Sequence, residues 1–247
     1  MSDKSPERAP ATSDAAARPA ASSSRDDIDV FLTRAKELAA APDRASSGRL
    51  IFGLDATMSR QPTWDQACRI QADMFREAAA VGRLAIQLIY YRGLGECRAS
   101  PWIADAARLG GLMSRIDCRG GHTQIRKVLA HARRENDRGR IAALVFVGDA
   151  MEESLDELCA GAGELALRNI PAFMFQEGYD PVCEQAFREI ARLTRGAYCR
   201  FAPGAAHELA ELLRAVAAYA AGGIKALADL KERRNSGAVQ LIEQLKG

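Results

Sequence analysis

The chain has 247 residues, of which 48% are hydrophobic and 27% are charged, as in ordinary soluble globular proteins. That length accommodates one well-buried domain of about 200 residues together with tails. The 34 basic and 32 acidic side chains leave a net charge of +2, so the charge balance gives no reason to expect nucleic acid or an acidic membrane surface as a partner.

The N-terminal segment is predicted to be a disordered tail followed by one amphipathic helix. Residues 1–25 contain no aliphatic side chain larger than alanine, apart from the first methionine, so they cannot bury enough apolar surface to offset the entropy lost on ordering. Within residues 26–46, apolar side chains from Ile28 to Ala39 recur at i, i+3 and i+4 spacing, which predicts a helix, and a short Pro/Ser linker follows.

Apolar runs alternate with helical patterns from Arg49 onward and predict an α/β domain over residues 47–222. Runs rich in Val, Ile and Leu, separated by helices, are typical of a parallel sheet covered on both faces. We therefore expect a doubly wound, mostly parallel central sheet. A short run after the turn at Gly93-Leu94-Gly95 is predicted to return as an antiparallel edge strand. The predicted strands are Leu50–Leu54, Leu84–Tyr91, Glu96–Ser100, Ile141–Val147, Pro171–Phe175 and Ala197–Phe201.

Helical periodicity occupies the segments between these strands and continues beyond the last of them. The helix after the first strand begins with a capping box formed by Thr63 and Gln66. Beyond Gly222-Gly223, residues 223–247 form two short helical patterns, which we interpret as a C-terminal extension accessory to the sheet domain. The predicted helices are Thr63–Ala80, Pro101–Arg115, Gln124–Asn136, Ser154–Arg168, Val182–Thr194, Ala206–Ala220, Ile224–Arg233 and Ser236–Leu245.

The cysteines and the hydropathy pattern indicate a cytoplasmic protein. No C-x-x-C pair is present, so the spacing typical of zinc sites is missing, and a disulfide framework is not expected in a chain of this size. No apolar run reaches the roughly 18 residues of a membrane span, and the N-terminus has no apolar core of a signal peptide. We expect free thiols in a reducing compartment at Cys68, Cys97, Cys118, Cys159, Cys183 and Cys199.

Acidic and hydroxyl side chains follow the ends of two predicted central strands. Asp55, Thr57 and Ser59 come directly after the first strand, and Asp149 follows the strand Ile141–Val147. In an open α/β sheet, ligands bind at the carboxyl ends of the strands where the strand order reverses. A glycine-rich loop before Thr123 permits its hydroxyl to approach both acids. Oxygen ligands of this kind suit a hard divalent cation.

Simpler interpretations compete with a metal site. An aspartate at a strand end with nearby hydroxyls is often only a helix cap, and the first motif alone favours that explanation. The addition of a second acid and a third hydroxyl favours the metal site. His122 is expected to be a solvated loop side chain, and Glu152, Glu153 and Glu177 are expected to be charged surface at the same end of the sheet.

The five positions together resemble the metal-ion-dependent adhesion site (MIDAS) of von Willebrand factor type A (VWA) domains. The pattern of that family is Asp-x-Ser-x-Ser, then a threonine after a Gly-rich loop, and then an aspartate closing the fourth strand. The resemblance covers roughly residues 47–222, including the antiparallel edge strand, and implies a Rossmann-like VWA fold. Thr57 replaces the more usual serine and offers the same oxygen. Ala150 follows Asp149 where many members have glycine, a departure that concerns the geometry of the loop.

The resemblance also implies a ligand set and a function. Thr57, Ser59 and Thr123 would supply hydroxyl ligands to Mg²⁺ or Mn²⁺, while Asp55 and Asp149 would act mainly through bound waters. With few direct carboxylates the ion stays electrophilic, and an acidic side chain of a partner protein can complete its octahedron. The implied function is a non-enzymatic, metal-dependent protein-binding module. Intracellular relatives of the family commonly serve multiprotein assemblies, often beside ATPases or chaperones.

Two alternatives remain open from the sequence. A Mg²⁺-dependent phosphohydrolase is suggested by a superficial likeness of the Asp55 motif to haloacid-dehalogenase-like hydrolases. Those enzymes need a second acid two residues after the nucleophile, where this chain has Thr57, and neither a Ser-His-Asp order nor a P-loop is present. The second alternative is a metal-free scaffold whose site has decayed, and the intact set of five ligand positions argues against it.

Overall fold

The computed structural model of the chain describes residues 48–61 and 84–245, and the structural statements below concern these residues. They belong to one compact unit, Ser46–Gly247. The predicted tail over residues 1–25, the predicted helix and linker over residues 26–46 and the predicted helix Thr63–Ala80 lie outside the described residues.

The described strands form a single six-stranded sheet in the order β3-β2-β1-β4-β5-β6. All neighbours pair in parallel except β2 and β3, which are antiparallel as predicted. The chain leaves β1 toward β2 and β3 on one side and then returns to β4 on the other, so the strand order reverses between β1 and β4. The strands are β1 (Gly48–Asp55), β2 (Leu84–Arg92), β3 (Glu96–Ala99), β4 (Ala143–Gly148), β5 (Ala172–Glu177) and β6 (Ala197–Phe201).

The helices that follow Ser154 and Asp180 are each capped by the side chain of that residue. The Ser154 hydroxyl accepts a hydrogen bond from the Glu157 amide at 3.5 Å, and the Asp180 carboxylate accepts one from the Cys183 amide at 2.6 Å. None of the helices in the described residues is both long and apolar enough to cross a membrane. These helices are α1 (Ala106–Met113), α2 (Ile125–Arg138), α3 (Leu155–Ala166), α4 (Pro181–Thr194), α5 (Ala206–Glu232) and α6 (Ser236–Leu245).

Two apolar clusters, one on each face of the sheet, form the core. Successive strand residues point to opposite faces, so Phe52 lies in one cluster and its neighbour Ile51 in the other. Helices α1, α5 and α6 contribute to the cluster of Phe52, whereas α2, α3 and α4 contribute to the cluster of Ile51. The sheet is therefore covered on both faces, and the predicted doubly wound, mostly parallel α/β fold is confirmed.

The helix predicted from Pro101 is wrong in its first turn. Helix α1 begins only at Ala106, and the preceding residues run along the sheet instead. Ile103 and Ile86 exchange two backbone hydrogen bonds of 2.8 Å, in an antiparallel bridge beyond the end of β3. Because a buried backbone N–H and C=O must find partners, the open edge of β2 recruits this segment and overrides its helical pattern.

The C-terminal helices belong to the core, contrary to the expectation of an accessory extension. Helix α5 continues past Gly222, and Gly223 adopts φ 66, a left-handed conformation that kinks the helix. Beyond the kink, Leu227 in α5 and Leu241 in α6 are buried in the same cluster as β1 and β4. The structure thus packs this segment against the sheet, while the predicted domain boundaries themselves stay predictions.

Candidate metal centre

Asp55 is a fully buried carboxylate at the end of β1, held by two hydrogen bonds. Its Oδ1 accepts from the Thr57 amide at 2.8 Å, and its Oδ2 accepts from the Tyr91 hydroxyl at 2.9 Å. Tyr91 lies directly opposite in the register of β2. The pKa of Asp55 is raised to about 6, mainly by burial and also by the charge of Asp149, while the bonds from Thr57 and Tyr91 oppose the rise.

The two hydroxyl groups of the first motif lie side by side. Thr57 Oγ1 and Ser59 Oγ are 3.1 Å apart, close enough to share a hydrogen bond. A single 3-10 turn over Met58–Arg60 produces this geometry, and the Arg60 amide closes it by donating to the Thr57 carbonyl at 3.1 Å. Thr57 is buried and Ser59 exposed, so the pair extends from the interior to the surface.

The glycine-rich loop before Thr123 approaches both β1 and the turn after β2. The Arg119 amide donates to the Ala56 carbonyl at 3.0 Å, which fixes the loop beside the first motif. A Cβ on Gly121 would lie 2.0 Å from the Gly93 carbonyl oxygen, so only glycine fits at that position. This close contact determines where the following residues emerge.

Thr123 is tied to the loop that follows β4. Its Oγ1 accepts from the Glu152 amide at 2.9 Å, and its own amide donates to Glu152 Oε2 at 3.1 Å. The neighbouring Glu153 accepts from the amides of Ile125 at 2.5 Å and Arg126 at 3.1 Å. The first amides of α2 are therefore satisfied by an acidic side chain, as expected for a helix N-terminus. These hydrogen bonds hold Thr123 against the segment that follows Asp149.

Asp149 follows β4 at the point where the strand order reverses. Its Oδ1 is buried, and no hydrogen-bond partner for this oxygen is found within residues 48–61 and 84–245. A buried carboxylate oxygen without a partner is energetically costly, and a cation or its bound water would relieve that cost. The charge of Asp149 also reaches Asp55, whose pKa it raises. The donor set at this edge therefore fits a hard divalent ion.

The five candidate ligands include few of the side chains, His, Cys, Asp and Glu, that form strong metal centres. Across the described parts of the chain, no group of three or more His, Cys, Asp or Glu side chains is arranged to hold a metal ion. The candidate centre contains two carboxylates, from Asp55 and Asp149, and its other oxygens are hydroxyls. Ligation by the five residues stays a prediction, since it depends on this mixed set.

The structure adds residues that sequence reasoning did not place at the centre. Arg60 is 1% exposed and forms an ion pair with Glu177, which is 6% exposed. The expectation that Glu177 is charged surface is therefore wrong, because the pair with Arg60 stabilises its burial. Tyr91 is the third addition. Its position at the end of a predicted apolar strand was the sequence signal for its place at the centre, and the strand register sets it level with Asp55. His122 is exposed, as expected.

The architecture resembles solved structures of VWA domains at low sequence identity. A VWA protein from Catenulispora acidiphila matches 72% of this chain at 19% identity with a TM-score of 0.58, and the match spans 43% of that protein. The VWA domain of SpRpn10 matches 66% of this chain and 95% of its own length, at 13% identity and a TM-score of 0.53. The vWF domain of the type V pili tip protein Mfa5 from Porphyromonas gingivalis matches 68% of this chain and 93% of its own length, at 10% identity and a TM-score of 0.53.

These likenesses concern the three-dimensional structure. No protein-family model matches the sequence, and no curated protein matches it either. Similar folds host different functions, so likeness at this level of identity speaks for the fold and leaves function to the site. The strand order, the antiparallel edge strand and the helices on both faces agree with the resemblance inferred from the sequence. The chain has the fold of von Willebrand factor type A domains.

Proposed function

We propose that the chain is a protein-binding module whose affinity for its partner depends on a Mg²⁺ or Mn²⁺ ion. Asp55, Thr57, Ser59, Thr123 and Asp149 would hold the ion. The buried Oδ1 of Asp149, for which the described residues supply no hydrogen-bond partner, carries the proposal, because a bound cation or its water would be that partner. The raised pKa of Asp55 supports it as well, since burial and the charge of Asp149 both disfavour the ionised carboxylate and a bound cation would favour it.

The residues around the centre hold the ligands in place. The Thr57 amide and the Tyr91 hydroxyl orient both oxygens of Asp55. The bond between Thr57 and Ser59 keeps their two oxygens at a separation that one ion can bridge. When bound, the ion would act as an electrophile that accepts one more oxygen ligand. Such pre-organisation lowers the entropy lost when the ion and a partner bind.

The proposed partner is a protein that presents an acidic side chain. Ser59 is exposed, and Met58 beside it is 54% exposed, so a partner could reach the hydroxyl end of the centre. Neutral hydroxyl ligands leave the charge of the ion largely uncompensated, which favours an incoming carboxylate. The apolar Met58 side chain would add contact area beside that carboxylate.

We propose a non-enzymatic role within an intracellular assembly, of the kind in which an ATPase or chaperone takes part. The position two residues after Asp55, where a haloacid-dehalogenase-like hydrolase has its second acid, holds Thr57 bonded to Ser59. An intracellular place is supported by the described cysteines, which are all free thiols. Phosphatase turnover that disappears in Asp55→Asn would instead favour the Mg²⁺-dependent phosphohydrolase.

Calorimetric titration with MgCl₂ and MnCl₂ tests the metal site directly. We expect Asp149→Asn and Asp55→Asn to lose binding while retaining cooperative thermal unfolding, because asparagine keeps the shape and removes the charge. Asp137→Asn is the matched control, since Asp137 forms a surface ion pair with Arg168. Equal metal affinity in the wild type and in Asp149→Asn would refute the proposal.

Partner binding is tested by affinity capture with immobilised chain. We expect a specific protein to be retained in Mg²⁺ and released by EDTA, and to be absent when Asp149→Asn is the bait. A partner that binds equally well in EDTA would show that the interaction does not use the metal.

A further inference from the structure

Arg60 is a buried arginine inside the candidate metal centre. It directly follows Ser59 and ends the 3-10 turn that carries both hydroxyls of the first motif. Its side chain is only 1% exposed. Arginine is almost never fully buried unless it is paired, so the position of this side chain calls for a specific set of counter-charges.

The ion pair between Arg60 and Glu177 crosses the end of β4. Arg60 is rooted in the loop after β1, whereas Glu177 is the last residue of β5. In the sheet, β4 lies between those two strands. Neighbouring strands are about 4.8 Å apart, so β1 and β5 are separated by roughly 10 Å, with the end of β4 and the following Asp149 between them. The ion pair therefore joins two segments that lie on either side of the strand leading to Asp149.

The charge of Arg60 interacts with the acids of the centre. Burial lowers the pKa of the guanidinium, while the charges of Asp149 and Asp55 both raise it. The attraction is mutual, so the positive guanidinium offsets part of the negative charge of those two side chains. A second cation that enters the same space must therefore share this negative charge with Arg60.

We propose that Arg60 is a fixed internal counter-cation of the candidate metal centre and lowers its affinity for divalent ions. This inference rests on the proposed metal-binding function and says what limits the affinity of the centre for Mg²⁺. A guanidinium near a divalent ion repels it, and the nearby carboxylates of the centre are already partly neutralised. Because Arg60 is a permanent cation, it keeps the acids of the centre partly neutralised when no ion is bound, and the centre keeps its structure. Because it lowers the affinity, the fraction of centres that hold Mg²⁺ follows the free Mg²⁺ concentration.

A charge-neutral pair replacement tests the proposal. The double variant Arg60→Gln/Glu177→Gln removes both buried charges and keeps two amides that can hydrogen-bond to each other. We expect it to bind Mg²⁺ on the order of tenfold more tightly than the wild type, because the guanidinium charge that is lost acts on Asp149 and Asp55, the acids that would hold the ion. The variant Arg60→Met/Glu177→Met is a second form, since apolar replacement of a buried ion pair is often tolerated.

Two controls separate charge from other effects. Arg60→Lys keeps the cation without the planar fork, so we expect its Mg²⁺ affinity to stay close to that of the wild type. Arg49→Gln/Glu135→Gln makes the same chemical change in an ion pair near the start of β1, at the opposite end of the sheet. We expect no change in Mg²⁺ affinity in that variant.

The outcomes distinguish this inference from the proposed function. Unchanged or weaker Mg²⁺ binding in a cooperatively folded pair replacement, together with lost binding in Asp149→Asn, would overturn the role of Arg60 and leave the metal site standing. Tighter binding in the pair replacements alone supports the role of Arg60. Binding that is insensitive to Asp149→Asn removes the metal site and the inference with it.

Discussion

Tyr91 donates its hydroxyl hydrogen to Asp55 Oδ2 at 2.9 Å, across the parallel pair of β1 and β2. The two residues lie level with each other in the register, so the bond follows directly from the pairing of the strands. This contact joins the core of the sheet to the candidate metal centre, since Tyr91 also stacks on Phe146 at a centroid distance of 6.0 Å. A core tyrosine thus lowers the pKa of the acid, against the larger effect of burial.

We expect Tyr91→Phe to raise the pKa of Asp55, because it removes a bond that stabilises the carboxylate. The aromatic ring and its packing are retained, so the loss of stability should be about 1–2 kcal/mol. Titration of the Asp55 carboxyl by NMR measures the change. Tyr90→Phe, on the neighbouring residue, is the control, and an unchanged Asp55 pKa in Tyr91→Phe would contradict the role of the bond.

We expect the stability of the metal-free protein to fall as the pH rises from about 4 to about 6. Asp55 has a folded-state pKa of about 6, above its ordinary value of 3.8, so in this range the native state binds more protons than the unfolded state. The contribution of Asp55 is on the order of 3 kcal/mol, fully present below the lower pKa and lost above the higher one. Denaturant unfolding in EDTA at several pH values measures it.

Asp55→Asn should remove this component of the pH dependence, while other groups continue to titrate in both proteins. If Mg²⁺ binds as proposed, saturating Mg²⁺ should stabilise the wild type more at pH 7 than at pH 4, since it favours the ionised carboxylate. An identical pH profile in the wild type and in Asp55→Asn, both in EDTA, would contradict the raised pKa.

Gly121→Ala should destabilise the loop that leads to Thr123. The new Cβ would lie 2.0 Å from the Gly93 carbonyl oxygen, so backbone must shift, at a cost of about 1–3 kcal/mol. Thr123 would move with the loop, and we expect weaker Mg²⁺ binding as well. Gly120→Ala is a matched control, because nothing lies within 4 Å of a Cβ at that position. Equal stability of the two variants would contradict the steric explanation.

Gln244→Ala should expose the edge of the sheet at β6. The Gln244 amide group donates to the Tyr198 carbonyl at 2.7 Å and accepts from the Tyr198 amide at 2.8 Å, so one side chain satisfies both backbone groups of an edge residue. Its loss should cost about 1–3 kcal/mol and promote self-association through the uncovered edge. Chemical denaturation and light scattering measure these effects. Gln240→Ala, on an exposed position of the same helix, should show neither.

The strands were the most predictable part of the fold, because their signal is local. A buried parallel strand is apolar along most of its length, and the predicted run Ala197–Phe201, which exposes Arg200 alone, coincides with β6. The segment after Pro101 shows the limit of that reasoning. Its helical pattern was overridden by hydrogen bonds to Ile86, and that partner lies in another strand.

The sequence by itself determined the α/β class, the positions of the strands along the chain and the set of candidate ligands. Apolar periodicity and residue type are properties of short stretches of chain, so they are visible without the fold. Only the tertiary structure decided which side chains share the centre. Glu177 was expected at the surface from its charge, and its burial depends on the ion pair with Arg60 across the end of β4. A charge is stable inside a protein only beside its partner, and the sequence does not show which distant residue that partner is.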